Sequence, residues 1–325
     1  MTPKAKIILT TVGLVVLFFV VAAGSYVFYF SHIYEQTEGV NLSNKVSNNK
    51  NNVDEIKETI WERGKDKDEF FVTNPTTEAK LYVKIFYPDN FKTGEKTDAL
   101  VLVPGGNSGS STFIGPKKSV DDITGAGLVA VVFDPDGRGM SSGVENQNGY
   151  DQQDGLAAII SFLVDELPDA QIDDVGIATF SFGLSMGSGV AVRYPELPIR
   201  FLIDWEGPID RNDFAGCDSG HTGHLTDEVD CDNEAYFSER EGISFVPQLD
   251  IPYIRLQTEK DHAQPDTLSA VRIVNAAVSA GLSYVRLNDY EVNQTYNEEN
   301  PPEMFPDNLD RSLMAKVAED AKELF

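Results

Sequence analysis

From residue 69 to the end of the chain, short and uniformly apolar runs alternate with longer segments in which apolar residues recur every three or four positions. The runs at 99–103, 128–133 and 175–180 are apolar on both faces, which predicts strands covered on both sides. Runs at 200–204, 252–256 and 283–287 have the same character, and 70–72 and 81–87 predict two earlier strands joined through Asn74 and Pro75. Between them, helical spacing predicts helices over 151–166, 183–194, 265–280 and 308–324. This alternation implies an α/β domain with a mainly parallel sheet and helices on both of its faces. In such sheets ligands bind beyond the carboxyl ends of the strands, so those loops are where chemistry is to be sought.

The first part of the chain follows a different pattern. Residues 7–30 carry no charge, and the run is long enough for a bilayer crossing of about 20 residues. Lys4 and Lys6 precede it and Glu35 and Glu38 follow, which puts the N-terminus in the cytoplasm and the rest outside. A cleavable signal peptide is the alternative, with small residues at 21–23, but the apolar run continues well past that point. Either way the domain is exported. The expected organisation is a tip and transmembrane signal-anchor over 1–34, a polar Asn/Lys-rich linker over 35–68 with a short helix at 53–61, and one domain over 69–325.

Charge and cysteine usage narrow the picture. The 325 residues include 52 acidic and 26 basic side chains, a formal net of −26, which disfavours nucleic acid and anionic headgroups as partners. Cys217 and Cys231 flank a polar segment with almost nothing apolar to bury them, so an exported chain is expected to join them in a disulfide worth about 3 kcal/mol. Asn41 and Asn293 stand in Asn-x-Ser/Thr glycosylation patterns.

Three loops carry chemistry. The strand at 99–103 runs into Pro104-Gly105-Gly106-Asn107, the one at 128–133 into Asp134-Pro135-Asp136-Gly137-Arg138-Gly139, and the one at 175–180 into Ser181-Phe182-Gly183. In this order they resemble the glycine turn, the D-x-R-G-x-G loop and the nucleophile elbow of the α/β-hydrolase superfamily, and within it serine esterases and peptidases of the dienelactone-hydrolase or prolyl-oligopeptidase kind. The resemblance covers 69–325. It implies a serine nucleophile, with the amides of Gly106 and Phe182 as oxyanion donors.

Two serines compete for that position. Ser185 sits in a literal G-x-S-x-G, Gly183 to Gly187, but Ser181 follows the buried strand immediately, as an elbow requires. Ser181 is therefore the expected nucleophile, although Thr179 stands where the family has glycine. The resemblance places the acid after the next-to-last strand, at Asp261, with Glu206 after the preceding strand in reserve and a helix cap as the other reading of Asp261. It also places a histidine after the last strand, and there the chain has none. His262, beside Asp261, is the candidate base, with His221 and His224 of an expected cap insertion over 210–248 as alternatives. The His221-x-x-His224 spacing lacks a second ligand pair, so neither metal nor cofactor is expected.

Two readings stay open at this level. One is a membrane-anchored, extracytoplasmic serine hydrolase cleaving ester or peptide bonds of a small substrate through an acyl-enzyme on Ser181. The other, suggested by the misplaced histidine, is an inactive hydrolase scaffold that binds or assembles with partners at the cell surface.

Overall fold

The computed structural model describes residues 59–115, 119–217, 229–264, 266–307 and 313–325. The apolar run at 7–30, the linker up to residue 58, Asn41, His221 and His224 lie outside these residues. Among the described residues no helix is long and apolar enough to cross a membrane.

Nine strands form one sheet: β1 (Trp61–Arg63), β2 (Glu69–Thr73), β3 (Lys80–Phe86), β4 (Lys96–Val103), β5 (Val129–Phe133), β6 (Gln171–Phe180), β7 (Ile199–Trp205), β8 (Tyr253–Leu256) and β9 (Val285–Leu287). Their spatial order is β1-β2-β3-β5-β4-β6-β7-β8-β9. The first three strands are antiparallel and the remaining six are parallel to one another. The eight runs picked out by the pattern are all strands. β1 is the addition: it falls where the sequence suggests linker and the end of a short helix. Tertiary contacts make it a strand, because the Trp61 ring packs 5.8 Å from Phe70 and 5.2 Å from Phe162 and its Nε1 donates to Glu166 at 2.6 Å.

Period-two burial separates the two faces of the sheet. In β4, Val101 and Val103 enter one apolar cluster while Leu100 and Leu102 enter the other. The first cluster lies under helices α2 (Tyr150–Ser161), α3 (Gly183–Arg193) and α7 (Leu268–Ala280). The second lies under α1 (Val120–Gly125) and α8 (Leu313–Leu324). Between β7 and β8, where the cap is expected, the described residues form three short helices, α4 (Arg211–Ala215), α5 (Glu234–Ser238) and α6 (Gly242–Phe245). Arg211 knits them, pairing with Glu234 at 2.6 Å and Glu241 at 2.7 Å, and the Cys217–Cys231 disulfide closes the cap loop. Phe214 and Phe237 from the cap pack around Phe182, which anchors the cap on the elbow.

The chain leaves β4 toward β5 on one side and leaves the adjacent β6 toward β7 on the other, so the strand order reverses between β4 and β6. The crevice at that reversal is the ligand-binding position of open α/β sheets. Val103 and Phe180 end the two strands that flank it.

Asn293 does a backbone's work here. Its Oδ1 accepts from Val285 N at 2.8 Å and its Nδ2 donates to Ser283 O at 3.0 Å, so the amide of the glycosylation pattern pins the start of β9.

One packing detail links the strands to the C-terminus. A Cβ on Gly176 of β6 would lie 2.2 Å from the Phe201 ring of β7, and that ring packs edge-on against Phe325 at 4.8 Å. Gly176→Ala should therefore lower unfolding free energy by about 1–3 kcal/mol. Denaturant titration should show most of that loss disappearing in a Phe201→Leu background; an equal loss in both backgrounds would show that the ring is not the cause.

Candidate active site

Ser181 lies at the sharpest point of the turn between β6 and α3. Its N–H still donates to Trp205 O at 2.8 Å, continuing the ladder with β7, while its φ is +52°. A non-glycine residue in this region is strained by about 1–3 kcal/mol. The strain lifts the hydroxyl off the strand axis before the chain enters α3, where Leu184 N returns to Ser181 O at 3.1 Å.

The glycine turn after β4 is pressed against this elbow. A Cβ on Gly105 would sit 2.4 Å from Phe180 O and 2.7 Å from Ser181 Cβ, and one on Gly183 would sit 2.8 Å from both Pro104 O and Val103 O. Both residues must be glycine for the two turns to meet. Gly106 adopts φ +52°, and among the described residues neither its N–H nor that of Phe182 has an acceptor. Those are the two amides that the sequence marks as oxyanion donors.

Thr179, the departure from the family pattern, is accommodated by Gly187. A Cβ on Gly187 would lie 2.2 Å from Thr179 Cγ2. The last glycine of the literal G-x-S-x-G motif thus makes room for Thr179 and marks no elbow. Ser185 is fully buried within α3, with its hydroxyl donating to Arg240 O.

His262 approaches Ser181 from the loop after β8. Its Nε2 is 2.8 Å from Ser181 Oγ and its Nδ1 is 2.8 Å from Glu206 Oε2. The imidazole stacks on the Trp205 indole, with centroids 4.7 Å apart and planes 13° from parallel, so the ring's tilt is set by packing as well as by hydrogen bonds. Glu206 directly follows β7 in a tight turn at φ +48° and is almost fully buried. One of its oxygens accepts from Thr258 N at 3.0 Å and from the Thr258 hydroxyl. Burial would raise this carboxyl, but the bonds from His262 and Thr258 outweigh burial and hold it below the usual carboxylate range.

Asp261, expected as the acid, has another task. Its Oδ1 accepts from Ala263 N at 2.8 Å and Gln264 N at 2.9 Å, and its Oδ2 accepts from Gln257 Nε2 at 3.0 Å. It lies 3.6 Å from His262 Nδ1, beyond hydrogen-bond length. Capping its own turn aims the Asp261 carboxylate along the chain. Glu206, the reserve acid, holds the Nδ1 position.

Ser181, Glu206 and His262 keep the expected chain order of serine, carboxylate and histidine, but the carboxylate and the histidine each come one strand nearer the serine than the resemblance implies. Where the family has histidine after the last strand, Asn288 stands. Its side chain is buried and pairs with the Gln257 backbone in both directions, accepting at 2.8 Å and donating at 2.9 Å. That position now ties β9 to the His262 loop.

Asn148 carries no sequence signal, yet its Nδ2 donates to Phe182 O at 2.7 Å and its Oδ1 accepts from Arg138 at 2.8 Å. Through it the D-x-R-G loop steadies the peptide at the start of α3. Asp134, from the same loop, holds Ser110 N at 2.6 Å and Met140 N at 2.8 Å, fixing the chain beyond the glycine turn.

No family model matches the sequence, and no curated protein matches it. Solved structures do match. The esterase Pf2001 of Pyrococcus furiosus is 13% identical with a TM-score of 0.55, over 82% of this chain and 91% of that one. Est1E of Butyrivibrio proteoclasticus, solved with ferulic acid bound, is 16% identical with a TM-score of 0.55, over 76% and 96%. Dipeptidyl peptidase 4 of Porphyromonas gingivalis is 16% identical with a TM-score of 0.57, over 76% of this chain and 34% of that one. This chain has the α/β-hydrolase fold. It spans about a third of the peptidase's length and matches the esterases over nearly all of theirs.

In this α/β-hydrolase domain the lowered Glu206 carboxyl has a measurable consequence. With its folded value below the ordinary 4.5, the group adds stability above that pH, and the contribution is lost as pH falls through the lowered value. In Glu206→Gln the difference in unfolding free energy between about pH 6 and about pH 3 should narrow relative to wild type. An unchanged difference would mean that the bonds from His262 and Thr258 do not hold the carboxylate.

Proposed function

We propose that this domain is a serine hydrolase that cleaves ester or peptide bonds through an acyl-enzyme on Ser181. The observation that carries the reading is the continuous relay from Ser181 Oγ through the His262 ring to Glu206, with 2.8 Å at each step. A serine hydroxyl attacks an acyl carbon only when a base takes its proton. His262 Nε2 accepts that proton, and Glu206 at Nδ1 fixes the tautomer and offsets the charge that forms on the ring. The tetrahedral oxyanion is received by the Phe182 and Gly106 amides, each such donor contributing about 10²–10³ in rate. His262 then protonates the leaving group, and water repeats the sequence in reverse to release the acid.

The structural neighbours named for esterase and dipeptidyl peptidase activity support acyl chemistry of this kind. The scaffold reading rests on the absence of a histidine after the last strand; His262 Nε2 at 2.8 Å from Ser181 Oγ supports the enzyme reading over it. The reaction is proposed to run outside the cytoplasm, on a chain held by the apolar run 7–30. The Cys217–Cys231 disulfide supports an oxidising compartment.

The test is covalent labelling of the purified domain with a fluorophosphonate probe, together with ester hydrolysis. Label should vanish in Ser181→Ala and persist in folded Ser185→Ala. His262→Ala and Glu206→Gln should lose about 10³–10⁴ in kcat. Asp261→Asn, which keeps an oxygen for the Ala263 and Gln264 amides, should lose far less. Absence of label on the folded wild-type domain overturns the proposal.

A further inference from the structure

Beneath the proposed catalytic groups lies an ion pair that the relay itself does not use. Asp204 and Arg255 stand opposite each other on β7 and β8, both with 0% exposure, and join at 2.6 Å. Tyr253 OH adds a bond to the same Asp204 oxygen at 3.0 Å. The other edge of the guanidinium holds Gln257 Oε1, from Nε at 3.2 Å and Nη2 at 2.7 Å, and Gln257 is also fully buried.

Stability alone gives little reason to bury such a pair. Replacing a buried ion pair with apolar residues of similar volume is often neutral or stabilising, because desolvation consumes most of the Coulombic gain. The pair does offer geometry. Toward β7, Arg255 Nη1 also donates to Gly207 O at 2.7 Å and Asp204 Oδ1 accepts from Gly207 N at 3.1 Å, which clamps the positive-φ turn that presents Glu206. Toward β8, Gln257 passes the constraint on through its Nε2 to Asp261 Oδ2 at 3.0 Å, next to His262. A planar fork with five fixed donors can hold both turns at once, which a flexible ammonium cannot.

We infer that Arg255, with Asp204 and Gln257, is a positioning device that sets the Glu206 turn and the His262 loop at hydrogen-bond distance from each other. This rests on the hydrolase reading of Ser181. A displacement of about 1 Å between such groups costs on the order of 10²-fold in rate. The device acts on kcat and leaves substrate binding alone, since none of the three side chains reaches the surface.

The experiment compares three variants of the full chain with wild type for ester kcat and KM and for denaturant unfolding. Asp204→Leu/Arg255→Met removes both charges at similar volume. Arg255→Lys keeps the charge and loses the fork. Gln257→Leu leaves the pair intact and cuts its link to the His262 loop. Each variant that folds cooperatively should lose about 30-fold or more in kcat with KM within about threefold of wild type. Arg255→Lys should lose less than the double variant. A folded Gln257→Leu or double variant with kcat within about threefold of wild type overturns the inference. If the double variant does not fold, Gln257→Leu alone decides. Wild type without hydrolysis or label ends the hydrolase reading and this inference with it; active wild type with unaffected variants ends this inference only.

Discussion

Two backbone turns have to touch for anything else in this molecule to matter. The glycine turn after β4 and the elbow after β6 meet at the reversal of strand order, with Gly105 against Phe180 O and Gly183 against Pro104 O. Neither approach leaves room for a Cβ. The contact aligns the amides of Gly106 and Phe182, which have no acceptor among the described residues, beside a serine that the strand end holds at positive φ. Strain of this size persists only where surrounding structure over-determines it. Here the determinants are the ladder bond from Ser181 N to Trp205 O, the Asn148 bond to Phe182 O, and the aromatic cluster of the cap.

The second constraint is the bonding of Glu206. A buried carboxylate without partners would take up a proton or cost several kcal/mol. Thr258 supplies a backbone and a hydroxyl donor, and His262 supplies its ring and its backbone N–H. All of these donors come from one loop, so satisfying the acid and delivering the histidine are the same folding event. This explains how Glu206 and His262, each one strand nearer Ser181 than the resemblance implies, still bring His262 Nε2 to 2.8 Å from Ser181 Oγ. The carboxyl ends of adjacent parallel strands are only about 5 Å apart, and Glu206, one methylene longer than Asp, reaches the His262 ring from the neighbouring strand.

Much of the fold was legible because its causes are local. Strands such as 99–103 and 175–180 are apolar at every position, and only burial on both faces tolerates that. The elbow was legible from register: Ser181 follows its strand at once, whereas Ser185 falls a turn inside α3, where it is buried. Other features had no local cause. β1 exists because Trp61 finds Phe70, Phe162 and Glu166, residues distant along the chain. Thr179 fits only because Gly187, eight residues on, leaves room for its methyl group. Asn148 and Asn288 carry no signal because what they do is bond to backbone brought near by folding.

The carboxylate that faces His262 shows the division most clearly. Two carboxylates, Asp261 and Glu206, both lie in turns after strands, and the family resemblance favours Asp261, the one after the next-to-last strand. The sequence by itself determined the alternation of elements, the place of Ser181 directly after its strand and the short list of candidate acids and bases. Only the tertiary structure decides which of them face one another. Asp261's carboxylate is committed to amides two and three residues along its own chain, while Glu206 meets His262 across the gap between neighbouring strands. Hydrophobic period is written along the chain, but the direction of a hydrogen bond between loops 56 residues apart is set only when the sheet brings them side by side.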